Sequence, residues 1–312
     1  MKVVVALGGN ALQTKGMVPS AEEQLKVIRR TCRYIAQLSS AHYELAIVHG
    51  NGPQIGRIIQ ASEYAKAVTP ALPFDVCGAM SQGYIGYQLQ QSLKHELNLC
   101  NMDVPVVTLV TQVIVEKDDT AFLTPSKPIG GFYSKEDAKR LQREKGYIMK
   151  EDAKRGWRRV VASPMPRKIV EIDEIKKLWK DTIVITCGGG GVPVVEKQDG
   201  TLEGIAAVVD KDFAAELLAE EINADIFLIL TEVEKVCLNY QMENEIKLDK
   251  LNLKEAAAYI EENQFASGSM LPKIQAAMKF VRMYPDKKAI ITSLDNAAEA
   301  LEGKTGTVIT FA

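Results

Sequence analysis

The sequence predicts an α/β chain: a three-layer αβα sandwich with a mainly parallel central sheet and a small inserted lobe. Three observations predict it. Short, β-branched apolar runs alternate with longer amphipathic ones from end to end. Three of the apolar runs stop at glycine clusters, at Gly8-Gly9-Asn10, Gly50-Asn51-Gly52 and Gly188–Gly191. One charged, proline-bearing stretch, 116–168, breaks the alternation.

Residues 2–7 are rich in valine and read as a buried strand. Ser20 followed by Glu23 reads as a capping box, opening an amphipathic helix that runs to about residue 38. Residues 44–48 predict the next strand, and 53–66 and 75–98 predict helices. The run VPVVTLVTQVIV at 104–115 predicts one strand. The stretch 116–168 contains TPSKPIGGFYS and EDAKRGWRRVV. It is too long for an ordinary connection, so it predicts a lid-like subdomain inserted in one domain spanning 1–312. Further strands are expected at 182–187, 226–230, 288–292 and 305–311, with helices at 172–180, 211–222, 253–262 and 271–284. Right-handed crossovers in such a sheet place the strand C-termini, and with them the glycine clusters, on one edge.

Composition narrows the function. Apolar residues make up 46% of the 312 and charged residues 25%, and the net charge is −2. That balance speaks against nucleic acid or an anionic membrane as partner. No apolar run approaches membrane-spanning length. Five cysteines, an odd number with no C-x-x-C pair, suit a reducing, cytoplasmic setting. His42, His49 and His95 form no metal-ligand pattern, so the chain is expected to carry no metal site of its own.

A strand ending in glycines can turn sharply and bring bare N–H groups close to an anion. A plain tight turn is the bland alternative for any one cluster; three on one edge favour a phosphate-binding edge. Two nucleotide motifs fail. Ile55 stands where G-x-G-x-x-G needs its third glycine after Gly50 and Gly52, and Ala298 stands where a P-loop ending in Gly303-Lys304-Thr305 needs its first. Three lysines are out of the ordinary. Lys211, between Asp210 and Asp212, and Lys273, after Pro272, both sit at helix starts, where the dipole prefers anions. Lys127 is pinned between Pro125 and Pro128, in a loop whose backbone is restricted. Solvated surface lysines and an ordinary acidic cap are the competing reading.

Together these stretches resemble the carbamate kinases of the amino-acid kinase family, along the whole chain. The ordered blocks are ALGGNA, HGNGPQ, CGAMSQGYIGY, TQVIV, PSKPIG, KEDAKRGWRRVVASPMP, CGGGGVPV, VDKDFA, ILTEVEKVCLNY, FASGSMLPK and AIITSL. Acetylglutamate kinases and similar members carry lysine two residues before the first Gly-Gly; here that residue is Ala6. In carbamate kinases the missing charge comes from the inserted lobe, which matches Lys127. Ser126 stands where the family often has threonine, and Lys154 where glycine is common.

The resemblance implies phosphoryl transfer between ATP and carbamate, giving ADP and carbamoyl phosphate, with Mg²⁺, in a homodimer. It implies that Lys211 and Lys273 bind the β/γ-phosphoryl oxygens, that Lys127 reaches the carbamate, and that Asp212 holds the lysines. It sets Gly8, Gly9 and Asn10 on the phosphoryl group and Gly50, Asn51 and Gly52 around the carbamate. It puts Asp210 near Mg²⁺, and the adenine near Thr231, Tyr240 and Met270, the last two having core packing as the plainer role. The direction expected is ATP synthesis in arginine catabolism. A kinase for a larger carboxylate such as acetylglutamate, and a non-catalytic sensor of ATP or carbamoyl phosphate, are the rival readings.

Overall fold

The computed structural model describes residues 1–14, 20–41, 43–152 and 156–312. Lys154 and His42 lie outside the described residues.

Period-two burial builds the layers. In β1 (Lys2–Leu7), Val3, Val5 and Leu7 join one helical layer while Val4 and Ala6 join the other. All five are fully buried, as a strand covered on both faces requires. Along the chain follow α1 (Ala21–Ser40), β2 (Glu44–His49), α2 (Gly52–Tyr64), α3 (Phe74–Leu99), β3 (Val106–Thr108) and β4 (Gln112–Val115). Next come β5 (Lys127–Tyr133), α4 (Lys135–Lys145), β6 (Ile148–Glu151), β7 (Trp157–Val161), β8 (Pro166–Ile169), α5 (Ile172–Leu178), β9 (Ile183–Ile185), β10 (Val192–Glu196) and β11 (Leu202–Gly204). Then α6 (Lys211–Glu221), β12 (Ile226–Thr231), β13 (Val236–Leu238), β14 (Ile246–Leu248), β15 (Lys250–Asn252), α7 (Leu253–Glu261) and α8 (Met270–Met283). The chain closes with β16 (Lys288–Ser293), α9 (Ala297–Leu301) and β17 (Thr307–Thr310).

Among the described residues the main sheet has eight strands in the order β15-β17-β16-β12-β1-β2-β9-β3. Its pairs are parallel except β16 with β17. Helices α1 and α3 present Ile28, Cys32 and Ile35, and Ile85, Leu89 and Leu93, at helical spacing to one face. Helices α5, α6 and α8 cover the other through Ile175, Leu218 and Phe280. The sheet is thus mainly parallel and sandwiched between helices, as the alternation predicts. The order also puts the C-terminal ends of β12, β1, β2 and β9 side by side, so the three glycine clusters do share one edge.

Three expectations need correction. The run 104–115 is two strands: β3 pairs with β9 in the main sheet, while β4 pairs with β10 and β8 in a separate sheet, β11-β10-β4-β8. The break falls at Thr111, whose hydroxyl accepts the Cys187 N–H (3.1 Å) and meets the Thr186 hydroxyl (2.8 Å). The capping box at α1 is half made. Ser20 Oγ accepts the Glu23 N–H at 3.1 Å, but the Glu23 carboxylate turns to Lys26 at 2.6 Å. The third glycine cluster is buried rather than open: Gly188, Gly189 and Gly190 all lie inside.

Strands β5, β7 and β6 pair antiparallel with one another as a further sheet, with α4 between β5 and β6 in sequence. The chain then returns through β8 beside β4. Gly303-Lys304-Thr305 lies in a turn before β17. All five cysteines are free thiols. Among the described residues no helix is long and apolar enough to cross a membrane.

Candidate active site

Helix α6 opens the site. Asp210 is its N-cap, and Asp210 Oδ1 accepts the Asp212 N–H at 3.0 Å. The other oxygen, Oδ2, receives Lys127 Nζ at 2.5 Å, from the first residue of β5. Asp212 itself takes two lysines: Lys211 Nζ at 2.5 Å on Oδ1 and Lys273 Nζ at 3.0 Å on Oδ2. Lys273 also donates to the Ser269 carbonyl, 3.2 Å away at the start of α8. Lys279 ties the same two helices further along, donating to Glu216 (2.6 Å) and Glu220 (3.1 Å). Three lysines from β5, α6 and α8 thus meet on two neighbouring aspartates, with one positive charge in excess.

Burial makes this cluster demanding. Asp212 is 3% exposed and Lys273 9%. Burial alone would raise the Asp212 carboxyl, but Lys211 and Lys273 outweigh it and bring it to about 2. Burial lowers Lys211, and Lys273 adds to that; the pull of Asp212 opposes both. The two helix-start lysines therefore have a reason that a surface lysine lacks: they are inward charges held by one carboxylate.

The glycine turns border this cluster. Gly8 continues the β1 ladder, donating to the Leu230 carbonyl at 3.0 Å. A Cβ there would sit 2.7 Å from that oxygen, so glycine is required. The same Cβ would lie 3.6 Å from Thr231 Cα, which places the end of β12 beside the turn. Gly9 and Asn10 are exposed, opening a short 3₁₀ turn. After β2, Gly50 packs on the stem of Lys211: its Cβ would lie 3.4 Å from Lys211 Cδ. Asn51 turns inward, its Nδ2 donating to Ser81 Oγ at 2.8 Å, and Ser81 donates to the Gly78 carbonyl at 2.6 Å. Gly189, at φ +68, lets the chain pass over that amide; a Cβ would come within 2.1 Å of Asn51 Nδ2. The structure thus assembles Lys127, Asp210, Lys211, Asp212 and Lys273 with the turns at Gly8 and Gly50, and Thr231 adjoins them. Tyr240 and Met270 take no part in that hydrogen-bond network. Tyr240 is 51% exposed beyond β13, so core packing does not explain it; Met270 opens α8, partly buried against the core.

His49 is a supporting part that pattern reading missed, and the Gly188–Gly190 turn, expected as part of the phosphate-binding edge, packs against it. His49 Nδ1 lies 2.8 Å from the Gly50 carbonyl, and a Cβ on Gly188 would come within 2.5 Å of His49 Nε2. Burial, countered by the Gly50 bond and reinforced by Lys211, lowers its imidazole to about 4. It is neutral at neutral pH. The unfolded chain binds that proton near pH 6.5, so stability should fall as pH drops from about 6.5 to about 4. The expected loss is on the order of 3 kcal/mol at about 1.4 kcal/mol per unit. Urea unfolding at several pH values would measure it, and His49→Asn should remove that part of the slope.

Among the described residues no three His, Cys, Asp or Glu side chains group so as to enclose an ion.

A profile of the Amino acid kinase family matches residues 1–293. The chain belongs to the amino acid kinase family. Within that family it is similar to the carbamate kinase of Clostridium perfringens, 54% identical with 99% of both chains covered. It is similar also to that of Pyrococcus furiosus, 52% identical over 99% of this chain and 98% of the relative. Among solved structures, the carbamate kinase from Giardia lamblia bound to AMP-PNP superposes with a TM-score of 0.93 at 41% identity. That match covers 100% of this chain and 98% of the other. In this member of the amino acid kinase family, Ala6, two residues before the first Gly-Gly, is buried on the α6 and α8 side of the sheet.

Proposed function

We propose that the chain is a carbamate kinase, catalysing reversible phosphoryl transfer between ATP and carbamate to give ADP and carbamoyl phosphate. The observation that carries the reading is the convergence of Lys127, Lys211 and Lys273 on Asp210 and Asp212, beside the glycine turns of β1 and β2. The names and full-length coverage of the relatives support the substrate class.

Carbamate is an anion, so one of its oxygens attacks the γ-phosphorus with no proton to remove. The new O–P bond forms as the bond from that phosphorus to the β–γ bridging oxygen breaks, and ADP leaves. His49 has Nδ1 on the Gly50 carbonyl and Nε2 against Gly188, and takes no part in the transfer. The obstacle is repulsion between two anions. Alignment and fixed positive charge do most of the work in such transfers. One unit-charge pair at 4 Å is worth roughly 4 kcal/mol at an effective dielectric near 20. Lys211 and Lys273 take the β/γ-phosphoryl oxygens, and Lys127 takes the carbamate and the group in transit. Asp212 keeps the first two aimed. Gly9 and Asn10 donate to the phosphoryl group, and Gly8, whose N–H is committed to the Leu230 carbonyl, shapes the turn that brings them there. Gly50, Asn51 and Gly52 border the carbamate, Asn51 by its backbone because its amide is committed to Ser81. The adenine lies against Thr231, Tyr240 and Met270. Mg²⁺ bound with the nucleotide supplies further neutralisation of phosphate charge. Asp212 is taken up by two lysines, so Asp210 is the carboxylate that would hold such an ion, through water. The segment 116–168 acts as the lid that excludes water.

The test is ATP formation from carbamoyl phosphate and ADP, run beside a panel that includes acetylglutamate with ATP. Turnover with carbamoyl phosphate is expected. Activity confined to acetylglutamate would move the chain to the larger-carboxylate kinases, and no isotope exchange between ADP and ATP would make it a sensor. We place the enzyme in the cytoplasm, where free thiols persist, working toward ATP synthesis in arginine catabolism. It is read as a homodimer joined through α3, where Val76, Met80 and Tyr87 stand exposed; sedimentation would check the mass.

A further inference from the structure

Helix α2 starts at the carbamate turn and carries a second task along its side. Gly56, Ile59, Gln60 and Glu63, spaced as one helical stripe, face the β5-β7-β6 sheet across a cavity of about 380 Å³. At the near end the backbones touch: a Cβ on Gly56 would lie 2.4 Å from Gly130 Cα. At the far end Glu63 accepts from both Lys145 Nζ, the last residue of α4, and the Tyr147 hydroxyl just before β6. The Glu63 and Lys145 side chains are about three-quarters buried. Arg159 adds a third contact, its guanidinium 3.8 Å from the Tyr147 ring and 5.7 Å from the Phe74 ring at the start of α3.

Register connects this to the site. Lys127 pairs with Val161 and Ile129 with Arg159, so Lys127, Ile129 and Arg159 stand on one face of the outer sheet. The face fastened to α2 and α3 is the face that carries Lys127 to Asp210. We propose that Glu63 is a positioning residue: by latching the outer sheet to α2 through Lys145 and Tyr147, it holds Lys127 in the site. This rests on the reading of the site as a kinase. The latch is polar and few-membered, so it can open to exchange substrates as an all-apolar interface of that size could not. Burial, together with the bond to Glu63, raises the Tyr147 phenol to about 12, so it remains a donor throughout the working range. Burial would lift the Glu63 carboxyl, but its two donors outweigh that and hold it below its ordinary value, ionised.

The test compares Glu63→Ala and Gly56→Ala with the parent by amide hydrogen exchange, by steady-state kinetics and by ADP binding. A hydrogen bond to a charged group is worth about a tenfold change in an equilibrium, so exchange across 127–161 should quicken by about tenfold. KM for carbamoyl phosphate should rise by a similar factor and kcat should fall, while the dissociation constant of ADP stays within about twofold. Glu63→Gln, which keeps an acceptor for Tyr147, should recover part of the loss. Gly56→Ala, which pries the other end, should give the same pattern if Glu63→Ala folds poorly. Unaltered exchange in 127–161, or an equal weakening of ADP and carbamoyl phosphate, overturns the latch. Exchange needs no turnover, so an inactive chain would sink the kinase reading and still leave the latch readable.

Discussion

Lys127→Ala should lower turnover by about a thousandfold and leave nucleotide affinity within a few-fold of the parent. The size follows from one fixed charge lost beside the transferring group, roughly 4 kcal/mol at an effective dielectric near 20, or about three decades in rate. The selectivity follows from position. Lys127 comes from the outer sheet, and its contact is with Asp210, the cap of α6, whereas Lys211 and Lys273 are fixed on Asp212. On the proposed reading, removing it takes a cation from the acceptor side and leaves the two lysines on Asp212 in place. The fold should survive, because the Lys127 side chain is about one-third exposed and Asp210 keeps its bond to the Asp212 N–H. ATP formation from carbamoyl phosphate gives the rate, and calorimetry with ADP gives the affinity. Lys127→Arg tests geometry, since a planar fork does not replace a point charge reaching one carboxylate oxygen. Undiminished turnover in Lys127→Ala would remove the outer sheet from the chemistry.

The parts of this protein that show in its sequence are those where burial and local chemistry agree. β1, β2 and β12 are buried on both faces, so their composition alone marks them as strands. Lys211 and Lys273 show because each sits at the wrong end of a helix for its charge, a conflict that needs a partner to resolve it. The split between β3 and β4 does not show. The apolar, β-branched run is uniform through Leu109 and Val110, and the break comes from Thr111 meeting Thr186 and Cys187, distant in the chain. The work of Gly188–Gly190 is hidden for the same reason, since a glycine run reads as an open cradle until His49 and Asn51 are seen beneath it. Glu63, Lys145 and Tyr147 give no signal at all. Each is an ordinary polar residue of a helix or strand edge, and only the folded chain brings them together. Function-bearing charges are legible where they strain a local rule, and illegible where they satisfy one.

Asp212→Ala carries the other large effect, and it divides into a structural and a chemical part. Taking away the carboxylate leaves Lys211 and Lys273 side by side without the counter-charge they share, while Asp210 stays paired with Lys127. Breaking such a pair from one side costs about 3–5 kcal/mol of stability, which urea unfolding at neutral pH would register. In the parent the Asp212 carboxyl sits at about 2, below its ordinary 3.8. Its contribution is therefore whole above about pH 4 and is lost as pH falls toward 2; the alanine variant should lack that acid limb. A second change separates the two parts. Adding Lys273→Met to Asp212→Ala removes one of the two unpaired cations, so part of the stability should return while turnover stays lost. If stability and activity returned together, the pair would be scaffolding and the lysines would not be reagents. The single variant should also reveal its charge in its pH profile. Burial and the neighbouring Lys273 already push Lys211 down, and without Asp212 the weaker pull of Asp210 is what opposes them. Any residual activity that depends on a protonated Lys211 should then fade at a lower pH than in the parent, and an alkaline limb unmoved between the two would show that the Lys211 charge is not needed for transfer.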